Sequence, residues 1–166
     1  MPYNIFATMR WILPVLLTFS LSACLHNDVF EKNSSLANRH WLLKEPKMFV
    51  FTINDTLSNY MVYATLRHTD AYPFSNIWLN VATTLPGESV PLSSNVELTL
   101  AQADGKWLGR GMQDIREHQI PLTPQGAPVH FSKTGTYTMT LKHLMRQDPL
   151  PELMSIGVRL EKIKKQ

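Results

Sequence analysis

Few residues of this 166-residue chain are of types that do covalent chemistry, and the most conspicuous stands alone: Cys24 is the only cysteine. A lone cysteine closes no internal disulfide and builds no CxxC redox or metal pair. What precedes it suggests another use. Residues 1–10 hold one charge, Arg10, and no acid, and an apolar run from Trp11 to Leu21 follows, interrupted by Pro14, Thr18 and Ser20. The run is shorter than the roughly 20 apolar residues that cross a bilayer, and its length and flanks suit the core of a secretory signal. It ends on Leu21-Ser22-Ala23-Cys24, the pattern of a bacterial lipobox. Leucine fills a hydrophobic peptidase subsite, the two small residues fit the cleavage groove, and the cysteine sulfur takes a diacylglycerol. The plainer alternatives are an ordinary signal peptide, or a short buried helix with an incidental cysteine. Each buried methylene contributes about 0.8 kcal/mol and one acyl chain holds a protein only marginally. Two or three chains on Cys24 would give a stable anchor, so the expectation is a membrane-anchored protein with a soluble domain, residues 1–23 being removed.

The other candidates for chemistry are scattered. The six histidines are His26, His40, His68, His118, His130 and His143, and none forms an HExxH pair. A catalytic or metal site would need a pocket joining residues far apart in sequence, for example His68, His118 and His143. "GKWLGRG" at 105–111 lacks the Lys-Ser/Thr pair of a phosphate loop. It reads better as a tight hairpin, with Gly105 supplying positive φ and Gly109 and Gly111 allowing a bulge or a close backbone approach. There is no G-x-S-x-G elbow, and no carboxylates are paired in sequence. The pattern implies neither an enzyme nor a cofactor.

Aromatic residues offer a binding reading. Tyr72, Trp78 and Trp107, with Arg67 and Asn76 nearby, would make a stacking platform for a glycan if they shared a surface. The alternative is that Trp78 and Trp107 cap the ends of a core. Trp78 is opposite in parity to Ile77 and Leu79, which points it outward.

The elements that must carry these residues have a period of two. Phe49, Phe51 and Ile53 alternate with Val50 and Thr52, and the same pattern recurs at 62–67, 77–82, 96–100, 137–141 and 156–161. Turn chemistry separates these runs, as in "NDTLSN" at 54–59, "TDAYPFSN" at 69–76 and "QDPLPE" at 147–152. About eight short strands so spaced predict an all-β fold, a single antiparallel β-sandwich of jelly-roll type over residues 41–166. Residues 24–40, with "EKNSSLAN" at their centre, are expected to be a lipidated N-terminus and tether lifting the domain off the bilayer, with a short pairing segment near Val29 and Phe30. The formal charge of +3 falls to +2 when Arg10 leaves with residues 1–23, too mild to suggest a nucleic-acid partner. The basic run at 161–166 reads as a solvated terminus.

Taken in order, the pieces resemble a known family. "FVFTINDTLSNYMVYATLRHTDAYPFSNIWLNV", "VELTLAQADGKWLGRGM", "TGTYTMTLKHLMR" and "IGVRLEKI" are similar to the gliding-motility lipoprotein GldH family of Bacteroidota. The likeness runs from about Val29 to Ile163. It implies a lipid-anchored cell-envelope protein, most naturally of the outer membrane. The implied partners are proteins of the gliding machinery and its type IX secretion apparatus, with no small-molecule substrate. It carries over no catalytic residues, and Arg67, Asn76, Trp107 and Arg146 are then structural or form a partner surface. The resemblance also brings in O-glycosylation of exported proteins at Asp-Ser/Thr followed by a small apolar residue. Asp55-Thr56-Leu57 fits that pattern, with Thr56 as acceptor, though the same residues suit an ordinary turn.

Overall fold

Alternation sets the layers. In the computed structural model, which describes residues 28–163, each long strand turns one face inward. The strands are β1 (Asp28–Ser35), β2 (Lys47–Ile53), β3 (Asn59–Thr69), β4 (Asn76–Thr84), β5 (Leu92–Thr99), β6 (Arg110–Met112), β7 (Ile115–Pro121), β8 (Val129–His130), β9 (Gly135–His143) and β10 (Leu153–Lys162). Tyr137, Met139 and Leu141 of β9 are buried, as are Phe49, Phe51 and Ile53 of β2 and Ile156, Val158 and Leu160 of β10. These apolar faces need each other, and the stable solution is one sheet laid on another.

The two sheets are antiparallel. One runs β1-β10-β3-β7-β6, with β8 also paired to β3, and the other runs β2-β9-β4-β5. The expected all-β sandwich is therefore present, with ten strands where about eight were read.

The pairing segment expected near Val29 and Phe30 is present and extends to Ser35, through much of the stretch expected to be a tether. From Asp28 onward the stretch is an edge strand hydrogen-bonded along β10, from Asp28 opposite Glu161 to Ser35 opposite Ser155. Leu36 is buried and its N–H bonds to the carbonyl of Met154. Phe30 packs on the core, its ring 5.6 Å from that of Phe51. The sheet thus begins at residue 28, before the Trp41 boundary expected from the sequence. Cys24 and the proposed signal segment lie outside the described residues.

Register defines two ends. Asp28, opposite Glu161, and Lys162, opposite Tyr60, lie together at the end we call terminal. The turns after β2, β4 and β7 gather there. The far end holds the connections at 70–75, 100–109 and 144–152 together with fully buried Trp41, which bridges Leu150.

Candidate functional site

The residues capable of chemistry meet at the far end. His68 is the last of the inward series Val62, Ala64, Leu66 on β3, and His118 is the inward residue of β7 opposite Leu66. Both rings are buried and their Nε2 atoms are 2.9 Å apart. His68 Nδ1 lies 2.7 Å from the carbonyl oxygen of Thr69, which can only accept. Nδ1 therefore carries the proton, His68 Nε2 is left as an acceptor, and His118 Nε2–H donates to it.

The surrounding sequence builds the box around this pair. Trp107 meets the His68 ring edge-on at 4.5 Å, and Tyr72 lies 5.2 Å away. Gly109 presses its backbone on His118: a Cβ there would sit 2.6 Å from Nε2 and 2.7 Å from the carbonyl of Glu117. Gly111 similarly leaves room for the Arg116 side chain. Arg116 in turn grips Asp70 with two bonds, Nε to Oδ1 at 2.6 Å and Nη2 to Oδ2 at 2.8 Å. The close approach read from the glycines of "GKWLGRG" is the one found, and Gly105 has φ of +86°.

Electrostatics follow from burial. Desolvation, and then the charge of His68, push His118 down to about 4. His68 is also lowered by burial, against the opposing pull of its bond to Thr69. Burial raises the Tyr72 phenol. Neutral imidazoles, with both His68 nitrogens engaged, are poorly placed to take a proton from a bound molecule.

His143 does not join them. It faces inward from β9 against Trp41, ring centroids 5.3 Å apart, and neither ring nitrogen has a hydrogen-bond partner of normal geometry. The three-histidine pocket considered from the sequence is therefore two histidines in one box and a third against Trp41. Among the described residues, no group of three His, Cys, Asp or Glu side chains is arranged to hold a metal ion.

The aromatic platform is not assembled either. Tyr72 is 3% exposed, with its hydroxyl donating to the Asn76 carbonyl, and Trp107 packs on the core. Trp78 is 41% exposed, on the outer face of β4 opposite Glu97. The parity reading of Trp78 was right, but the other two rings belong to the core. Asn76 is tied to Glu97 across the same strand pair. Arg67 is exposed on the outer face of β3 opposite Glu117, and it lines a cavity of about 440 Å³ with Arg110 and Met112. Arg146 is exposed beyond β9. Thr56 sits half-buried in a turn closed by Asp55, which accepts from the Leu57 N–H and the Ser58 hydroxyl and pairs with Lys162.

Sequence reasoning missed the Arg116–Asp70 pair and the bond from Thr69 to Glu152. One signal was present: Arg116 and His118 alternate in "IREHQI", with polar residues where an inward face was due.

The sequence profile of the GldH lipoprotein family matches residues 28–160. The chain belongs to the GldH lipoprotein family. The match spans nearly all of the sandwich, including the histidine box. Two curated GldH proteins are similar over almost their full length. One, named gliding motility lipoprotein GldH homolog, from Christiangramia forsetii, is 25% identical over 164 residues, 95% of this chain and 96% of its own. The other, the gliding motility lipoprotein GldH of Flavobacterium johnsoniae, is 26% identical over 157 residues, 90% of this chain and 92% of its own.

Proposed function

We propose that this GldH family member is a lipid-anchored, non-catalytic protein of the cell envelope. It is held in the outer membrane through Cys24, and it serves as a component or assembly factor of the gliding-motility and type IX secretion machinery. The carrying observation is the family match over residues 28–160, together with relatives named for gliding motility. The lipobox supplies the anchor. His68 and His118 are bound to each other inside the sandwich and Arg116 is bound to Asp70 at its edge, which favours a scaffold over an enzyme. Anchoring acts by effective concentration: a domain confined beside its membrane partner meets it as if at millimolar level, about 10²–10⁴-fold above its free affinity. Arg67, Arg110 and Met112, exposed side chains around one cavity, are the first surface to probe for a protein partner.

The test is a clean deletion complemented by wild type or by Cys24→Ala, scoring colony spreading and the secreted protein profile together. Loss of either phenotype, restored by wild type and not by Cys24→Ala, is expected. A deletion that leaves both intact would remove the machinery role.

A further inference from the structure

We infer that the terminal end of the sandwich is a lipid-docking surface, so that the domain stands directly on the bilayer that holds Cys24. The proposal rests on the anchoring role of Cys24 given above, and the rest comes from the fold.

The first support is chain length. The strand begins at Asp28, four residues after Cys24. Four residues span at most about 14 Å even when fully extended. The ten-residue strand β10 is itself roughly 33 Å long. An anchor on Cys24 therefore reaches the terminal end of the sandwich but not its far end. The chain also leaves there: the Ile163 N–H bonds to the Asn59 carbonyl, and the sequence continues with Lys164 and Lys165.

The second support is what that end displays. Leu57 in the turn after β2 is 81% exposed, Val90 in the loop after β4 is 75% exposed, and Leu92 at the start of β5 is 67% exposed. These positions spread across the four-stranded sheet from one edge strand to the other. Between the two sheets at the same end lies an open apolar cleft of about 470 Å³, walled by residues including Val62, Leu85, Leu122, Val129 and Met139. Leu92 lines the cleft as well, and exposed apolar side chains on loop tips beside it are costly in water and suited to the headgroup–acyl boundary.

Charge does not oppose the contact. Lys133 is paired with Glu88 and Lys162 with Asp55, so the ion pairs near the tips are internally balanced. The occupant we assign is the acyl region of the bilayer itself, entered by Leu57, Val90 and Leu92.

The experiment uses the full lipidated chain in vesicles of phosphatidylethanolamine and phosphatidylglycerol. An environment-sensitive dye is placed at Leu57→Cys, at Val90→Cys, or at the exposed far-end Gln147→Cys; acylation leaves Cys24 unavailable for labelling. Dyes at 57 and 90 should shift to the blue and lose about half their emission to lipids spin-labelled in the chain, as expected for groups roughly 5–10 Å deep. The dye at 147 should do neither. If 57 and 90 stay as open to aqueous iodide as 147 while the protein remains on the vesicles, the docking surface is wrong and the anchor stands. Shielding of 57 and 90 only when other envelope proteins are added would assign the end to a protein partner and overturn the proposal. An intact mass showing Cys24 without acyl chains would remove the anchor, and the docking proposal with it.

Discussion

His68 and His118 share one proton across 2.9 Å, and the carbonyl of Thr69 decides which of them gives it. This makes the box a neutral device. A proton added to His68 Nε2 would meet the His118 N–H, and one added to His118 would be a charge buried with only Asp70, already gripped by Arg116, as a counter-charge. Burial holds His118 near 4 against 6.5 for a free imidazole. The unfolded chain thus binds more protons between those values. Stability is fully present above pH 6.5 and falls as the pH drops toward 4, by roughly 3 kcal/mol for such a difference. The urea midpoint should decline from pH 7 to pH 5, before most carboxylates titrate, and His118→Gln should flatten that decline. A midpoint that does not move over this range would contradict the assignment.

Gly157 is where the first strand joins the sheet. A Cβ at this position would strike the Asn33 Oδ1 and Thr65 Oγ1 atoms and lie 2.6 Å from the carbonyl of Lys32. Asn33 Oδ1 accepts the Thr65 hydroxyl at 2.6 Å directly over the glycine. Gly157→Ala must push β1 off β10, and overpacking of this kind costs about 1–3 kcal/mol. Gly87, with φ of +79° and nothing within 4 Å of its missing Cβ, should lose only about 1 kcal/mol in the same substitution, from backbone strain alone. Denaturation curves of the two variants check the order. If they prove equal, the residues from 28 to 35 are not held as a strand and the tether reading returns.

The extent of β1, beyond the pairing expected near Val29 and Phe30, shows what a sequence hides. Phe30 packs on the core, but the polar residues Glu31 to Ser35 that follow it give the strand no alternating apolar face. Its stability comes from a backbone ladder and from a glycine in a strand 124 positions away, which local reading does not detect. The strand β7 was missed for the opposite reason: its inward positions, Arg116 and His118, look solvent-facing until the partners Asp70 and His68 are brought in. Strands with apolar inward residues, such as β2, β9 and β10, were plain from the alternation of Phe, Tyr, Leu and Val. The glycines of "GKWLGRG" were legible as close-approach points because few other roles demand three in seven residues, but what approached them was not.

The rings once grouped as a platform should separate in experiment. Tyr72 and Trp107 pack on His68, and truncation of either to alanine should cost about 3 kcal/mol. Trp78 faces solvent from the outer sheet, and Trp78→Ala should change stability by about 0.5 kcal/mol or less. Thermal midpoints of the three variants decide it. If Trp107→Ala melted like wild type while a polysaccharide-binding activity disappeared, the rings would be a ligand surface after all.

The anchor is the claim on which the functional reading turns, and the intact mass of the protein extracted from native membranes tests it most directly. The account predicts a mature chain that begins at Cys24, carries acylated glycerol on its sulfur, and leaves the membrane fraction when Cys24 is replaced by alanine. A mature chain that starts elsewhere, or an unmodified Cys24 in a protein that still sediments with the membrane, would contradict it.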